Sequence, residues 1–479
     1  MDPARAAGHA EAARGEDEAR LGVVEQLVAR VQADIDRRVL LPGARLPSVR
    51  ELAKKSGVSR HSVVAAYDRL VARGFAVSRP GSGFYVATHG RSELVPATRK
   101  PPRNFEVAWL IRQVLEDGSD VLKIGGPWLP DDWLDMKSIQ SVVRGLGQQP
   151  GGHLLHYGHS LGYPPLRKQL QLMLSELGIS ASADQIVLTH GTSQALELSA
   201  RHLLRAGDSA LVDDPGYYNL YAYLRHCGVK LLGVPRTASG PDVGMLRELA
   251  ERHQPKAYFT QSMMQNPTGT DMSPPVMYRV LQAAEEFDFS IVEDDTYCDL
   301  EPTPRTRLAT LDQCNRVIYV RSFSKTLSGS IRVGFAVASQ PVTDELCNLK
   351  VLSSITSSLL HEKIVYRMLI EGRYRKFLEQ LRQRVGMARA KSLRLLQSLN
   401  MEVFAEPFGG NFLWARFPHV DDATALVAEA RAQGVMLAPG TVFRPNLEPS
   451  PYMRFNVALC TDPRARRMLE GFAHGQARA

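Results

Sequence analysis

The sequence predicts an α/β chain in two parts. A body of about 375 residues, with a mainly parallel sheet and a large and a small lobe, follows a small N-terminal winged helix-turn-helix. Three observations carry this. Short apolar runs alternate with helical stretches from Ile186 onward, two short helices and a glycine-tipped hairpin occupy the segment before Ala87, and the positive charge is concentrated in that segment.

The 479 residues are 44% apolar and 23% charged, ordinary globular values that exclude a wholly disordered, collagen-like or coiled-coil chain. No uninterrupted apolar run reaches the ~18 residues of a spanning helix. Residues 1–19, rich in Ala, Arg and Glu, lack the apolar core of a signal peptide and read as a solvated, disordered tail. Cys227, Cys298, Cys314, Cys347 and Cys460 are scattered, with no CxxC and an odd total. They point to a reducing compartment and to no cysteine-based metal site. The expectation is a soluble, cytoplasmic protein with no metal and no membrane partner.

Net charge is +8, but Arg45 to Arg103 holds twelve Lys and Arg against Glu51, Asp68 and Glu93. That excess of nine leaves the rest of the chain at −1, a basic module on a nearly neutral body. Within the module, Val24, Leu27, Val28, Val31 and Ile35 form one helical stripe, giving a helix from Leu21 to Leu40 that Pro42-Gly43 ends. Pro47-Ser48 offers a cap for a short helix from Val49 to Lys55, and Ser56-Gly57-Val58 makes a tight turn. Ser59 caps a second helix whose Val63, Val64, Tyr67, Leu70 and Val71 face inward until Gly74 stops it. Two β runs, Phe75–Arg79 and Phe84–Ala87, flank the turn Pro80-Gly81-Ser82-Gly83.

That order makes a winged helix-turn-helix over residues 20–87, and double-stranded DNA is its expected partner. Arg60 opens the recognition helix, where a guanidinium can bond bidentately to guanine. Ser59, His61 and Ser62 lie beside it. Arg50 and Lys54, placed at the end of the preceding helix, suit phosphate contacts. Gly81 lets the hairpin tip approach a minor groove. The bland alternative, a small packing module with solvated arginines, fits the charge excess poorly. Residues 88–104, rich in Pro and basic residues, read as a linker ahead of a body from 105 to 479.

In the body, strands are expected at Ile186–Thr189, Ser209–Val212, Ala257–Thr260, Phe289–Glu293, Val317–Arg321 and Gly334–Ala338. Ligands of such sheets sit beyond the carboxyl ends of strands. Lys325 follows one such end; most lysines there are solvated charges, whereas one that forms an imine needs a desolvated site. Asp294 ends a neighbouring strand, where a carboxylate can keep a pyridinium nitrogen protonated. Gly191-Thr192-Ser193-Gln194 joins a strand to a helix, a turn whose free amides favour phosphate. Arg332 can add a second phosphate clamp. Each motif alone is weak; their order is not.

RLPSVRELAKKSGVSRHSVVAAYDRLVARGFAVSRPGSGFYVA resembles the DNA-binding domain of GntR-type bacterial regulators over its whole length. The resemblance implies DNA contacts from Arg50, Arg60 and the wing at Gly81. Beyond Asn104, Tyr157 with GYPPLR, then GTSQAL, DPGY, NPTG, DDTY, SFSK, Arg332 and a late RFN resemble the fold-type I aminotransferase family. This implies that Lys325 carries pyridoxal phosphate through its amine and that Asp294 binds the ring nitrogen. Asn266 and Tyr297 would meet the phenolic oxygen, and Tyr217 would stack on the ring. Thr192, Ser193, Ser322 and Arg332 would hold the phosphate, with Tyr157 reaching over from a partner subunit. Arg454 would fix a ligand carboxylate, near a loosely matching segment at Gly126. The combination is similar to the MocR family of regulators. It implies a homodimeric, nucleoid-associated transcription factor whose body senses an amino acid, an amine or pyridoxal phosphate itself. The alternative is a true aminotransferase moving an amino group from an amino acid to a keto acid, and residual chemistry of that kind is compatible with regulation.

Overall fold

Two serines set where the helices of the N-terminal unit begin. Ser48 Oγ accepts from the Glu51 N–H at 3.2 Å while Glu51 Oε2 accepts from the Ser48 N–H at 2.8 Å, a reciprocal cap that starts α2, Val49–Ser56. Ser59 Oγ accepts from the Ser62 N–H at 3.1 Å and starts α3, Arg60–Ala72. Between them Gly57 takes φ +66°, the left-handed turn that crosses the two helices. The computed structural model describes residues 22–87, 120–149 and 155–474, and the chain divides into two compact units at Lys100–Pro101. The expected tail 1–19 and linker 88–104 lie outside the described residues.

Helix α1, Val23–Asp36, ends before the predicted Leu40. Arg38 turns to φ +59°, and the Val39 and Leu40 N–H groups bond back to the Asp34 carbonyl, so the backbone stops the helix ahead of Pro42-Gly43. The hairpin of β1 (Ala76–Arg79) and β2 (Gly83–Val86) pairs Ala76 with Val86 and Arg79 with Gly83. Leu27, Val28, Val31, Leu52, Val63, Tyr67, Leu70 and Val86 form the core of this unit. The Tyr67 hydroxyl is paired with the Pro47 carbonyl at 2.6 Å. Val64 does not join them: it is 40% exposed, because the buried face of α3 runs through 63, 66, 67 and 70.

In the body, one sheet contains β3 (Ile186–Thr189), β4 (Ser209–Asp214), β5 (Lys230–Thr237), β6 (Gly240–Pro241), β7 (Ala257–Thr260), β8 (Ser290–Asp294), β9 (Val317–Ser322) and β10 (Gly334–Val337). Its order is β3-β10-β9-β8-β7-β4-β5-β6. The pairs β5–β4, β4–β7, β7–β8 and β8–β9 are parallel; β10 runs antiparallel to both β3 and β9. Its reversal brings the start of β10 to the edge where β3, β4, β7, β8 and β9 end. All six expected strands are present within a residue or two. Strands β3, β7, β9 and β10 are buried along their whole length, which is why they read as unbroken apolar runs.

A second, antiparallel sheet of order β11-β12-β14-β13 builds the small lobe from β11 (Glu402–Val403), β12 (Phe412–Arg416), β13 (Ala438–Pro439) and β14 (Tyr452–Asn456). A 26-residue helix, Arg373–Ser398, leads into it. Side chains of both lobes share one hydrophobic core, in which Tyr258, Phe289, Phe335 and Phe412 are almost wholly buried, each contributing ~2–3 kcal/mol.

Candidate functional site

The carboxyl edge of the large sheet opens into a cavity of about 400 Å³. Lys325, Asp294, Arg332 and Arg454 line it, with Tyr217, Tyr297, Asn266, Thr192, Ser193 and Ser322. Six stretches far apart in sequence thus converge, and ten residues expected at one site line one cavity.

At one end the cavity is built for an anion. Helix α4, Gly191–Leu203, starts there with Gly191 at φ +74°. A Cβ on Gly191 would stand 2.6 Å from Arg332 Nη2, so the guanidinium lies directly over the bare helix start. Arg332 is held there by Nη1 to Ser324 Oγ at 3.2 Å and Nη2 to the His190 carbonyl at 3.1 Å. Ser322 Oγ is buried with no hydrogen-bond partner, the kind of orphan a ligand oxygen satisfies. A phosphate therefore fits the donors present. Thr192 is partly committed elsewhere, its hydroxyl sharing a 2.8 Å hydrogen bond with Thr296 Oγ1.

Asp294, also lining the cavity, closes β8. Oδ1 accepts from the Thr296 N–H at 3.1 Å and from Thr296 Oγ1, and Oδ2 accepts from Gln261 Nε2 at 2.8 Å. Burial pushes its pKa up to about 6, although these hydrogen bonds pull the other way. Lys325 lies in the turn after β9, its Nζ 5.7 Å from the centre of the Tyr297 ring. Burial first, then the Arg454 cation, press its pKa down to about 8; Asp294 opposes and Arg332 adds to the depression. Burial likewise lifts Tyr217 to about 12, and its hydroxyl accepts from Asn219 Nδ2 at 3.2 Å.

Arg454, on β14, is 1% exposed. Nε and Nη2 donate to the Gly125 carbonyl at 3.1 and 2.6 Å, and Nη1 donates to Asn266 Oδ1 at 2.7 Å. The rings of Phe412 and Phe443 stand 4.6 and 4.8 Å from its central carbon. Gly126, expected here, does not line the cavity: its carbonyl accepts from Asn456 Nδ2 at 3.0 Å, and Pro127 and Trp128 reach the lumen instead. Tyr157 is 79% exposed and belongs to a separate surface groove with Thr356 and Leu359. Sequence reasoning missed Gln261, Asn219, Thr296 and Trp128; only Thr296, inside the Asp-Asp-Thr-Tyr stretch, carried a local signal.

On the N-terminal unit, Arg60 and His61 are exposed at the start of α3. The Ser59 and Ser62 hydroxyls are bonded to each other at 2.9 Å, so they shape the helix start as much as they offer donors. Arg50 is exposed in the first turn of α2, not at its end; Lys54 holds the last turn. Gly81 takes φ +72° at the tip, and the Arg79 guanidinium lies 4.4 Å from the centre of the Tyr85 ring, stiffening the wing. Arg69 and Arg73 both bridge to Glu25 at 2.8 Å, which removes them from the free positive charge.

Among the described residues no group of three His, Cys, Asp or Glu is placed to hold a metal ion, and no helix is long and apolar enough to cross a membrane.

Residues 128–472 match the family described as aminotransferase class I and II, and residues 23–86 match the bacterial regulatory proteins of the gntR family. The chain is 28% identical over 438 residues to the uncharacterized HTH-type transcriptional regulator YdfD of Bacillus subtilis, covering 87% of this chain and 88% of that protein. It is 31% identical over 333 residues to a 2-aminoadipate transaminase of Thermus thermophilus, covering 67% of this chain and 81% of that one. The crystal structure of LysN, the α-aminoadipate aminotransferase of Thermus thermophilus, complexed with N-(5'-phosphopyridoxyl)-L-leucine, superposes with a TM-score of 0.70 at 26% identity, over 77% of this chain and 94% of that one.

Proposed function

The chain belongs to the class I and II aminotransferase family in its MocR-type arrangement, with a GntR-type reader ahead of the aminotransferase body, and from that premise we propose a transcription regulator that senses an amine through pyridoxal phosphate. The observation that carries the reading is the convergence of Lys325, Asp294, Arg332 and Arg454 on one cavity. When bound, pyridoxal phosphate supplies a carbonyl for amines and a ring that accepts electrons.

The protein's own residues do the rest. Arg332, Ser322, Ser193 and Thr192, with the start of α4, would hold the phosphate. Asp294 would pair with the ring nitrogen as an anion, Tyr217 would cover the ring, and Asn266 and Tyr297 would hold the phenolic oxygen. Lys325 has an accessible neutral form near pH 8, the form an amine needs to hold a carbonyl coenzyme, and it would be the residue that holds it. Arg454 takes the carboxylate of that amine, with Trp128 beside it. The protein works as a homodimer, a reading supported by the exposed Leu155, Tyr157 and Leu352, with Tyr157 completing the phosphate site of the second copy. Arg50, Arg60, His61 and the wing at Gly81 grip promoter DNA, with Ser59 and Ser62 ordering the recognition helix. An effector alters DNA affinity through its unequal affinity for two arrangements of the dimer.

A screen of amines against the purified protein, read by absorption with and without promoter DNA, tests this. An amine that changes both the spectrum and the DNA affinity of wild type, and neither in Lys325→Ala, is the expected result. A colourless wild type would overturn it. The 31% identity to a transaminase favours a second reading, slow transamination at the same site, which multiple turnover with a keto-acid acceptor would reveal.

A further inference from the structure

Gln261 follows Thr260, the last residue of β7, and is 5% exposed. Its backbone is clamped: the N–H donates to Asp213 Oδ2 at 3.3 Å and the carbonyl accepts from Arg236 Nη2 at 3.0 Å. Its side chain bridges two groups of the cavity. Oε1 accepts from the Asn266 N–H at 2.7 Å, and Nε2 donates to Asp294 Oδ2 at 2.8 Å. The backbone donor at Asn266 decides the amide's orientation, since only an oxygen satisfies it, and so the nitrogen must face Asp294.

We propose that Gln261 is a positioning residue for Asp294: its amide aims the carboxylate into the cavity, favours its ionised form, and ties it to Asn266, the residue that receives Arg454. The inference rests on the cofactor reading above. Thr296 holds one carboxylate oxygen and Gln261 the other, so losing either donor frees rotation about the terminal bond. The ionisable groups that act on Asp294 or are acted on by it are Asp295, which disfavours its charge, Lys325, which favours it, and the neutral phenols Tyr217 and Tyr297. Among these cavity groups Gln261 is a side-chain donor to Asp294 that stays neutral at every working pH.

The test titrates the full-length, coenzyme-stripped protein with pyridoxal phosphate between pH 5 and 9, by absorption and fluorescence, alongside a thermal melt. Gln261→Met keeps the bulk and removes the donor. It should bind about tenfold more weakly than wild type, the weight of one hydrogen bond to a charged group, and the pH at which the bound coenzyme's absorption changes should move. Gln261→Glu offers a donor only when protonated. It should come within about threefold of wild type at pH 5 and fall to the Gln261→Met level or below at pH 8, where a second carboxylate faces Asp294. Gln261→Met binding as tightly as wild type with the same pH course would overturn the inference. So would a Gln261→Glu deficit that does not change with pH, the mark of a purely structural role; this decides the matter even if Gln261→Met does not fold. A wild type that takes up no pyridoxal phosphate would overturn the cofactor reading and this inference together.

Discussion

Raising the pH through 8 should switch on the nucleophilicity of Lys325 while ordinary lysines stay silent. Burial and the Arg454 and Arg332 cations lower its pKa from 10.5 to about 8, against the pull of Asp294. At pH 7.5 that leaves about a quarter of the side chains neutral, compared with about one in a thousand for an unperturbed lysine, a gain of more than a hundredfold in reactive amine. Trace acetylation of coenzyme-free protein across pH 6–10, read by peptide mass spectrometry against an added unstructured lysine peptide, measures this directly. Labelling of Lys325 should reach its midpoint near 8 and level off, while that of a free lysine side chain in a reference peptide keeps rising. The neighbours give the sign. Asp294→Asn removes the anion that supports the ammonium, so the midpoint should fall; Arg454→Met removes a repelling cation, so it should rise. A Lys325 profile that tracks the reference peptide, or an upward shift in Asp294→Asn, would refute the electrostatic account.

Arg60→Ala should weaken binding to a specific promoter site ~10–100-fold, the value of one bidentate guanine contact, with little change on random duplex; fluorescence anisotropy with both DNAs separates base reading from charge. Gly334→Ala places a Cβ 2.7 Å from the Gly191 carbonyl carbon and 2.9 Å from the Arg321 carbonyl oxygen, so chemical denaturation should show a loss of ~3 kcal/mol. Ser59→Ala removes the cap of the recognition helix and the partner of Ser62, which should cost ~1 kcal/mol in the unfolding of the N-terminal unit.

What the sequence made legible follows from how each residue is used. Lys325, Asp294 and the Gly191 turn were visible because they sit just beyond apolar runs, and a strand buried on both faces announces its own end. Strand β5 was not, since Gly233 and Pro235 interrupt it; the ladder tolerates them because β5 lies next to the sheet edge, against the two-residue β6. Gln261 left no trace because its importance lies in two bonds made across the sheet, and a glutamine after a strand looks like any polar loop residue. Next to Gly126, the Gly125 carbonyl receives Arg454, a backbone contact that no side-chain pattern announces. On α3, Val64 was assigned to the core by hydropathy, and only the helix geometry turns it outward.

The reversed strand β10 means that the stretch from Ser322 to Gly334 is a single hairpin, carrying both the Lys325 amine and the Arg332 guanidinium. Both are thus carried on a cassette of thirteen residues whose length sets their spacing, with the His190 carbonyl at the end of β3 steadying Arg332. A graft or a one-residue indel confined to that hairpin would retune coenzyme grip and amine reactivity at once, which makes it the natural place for lineages, or engineers, to trade one against the other.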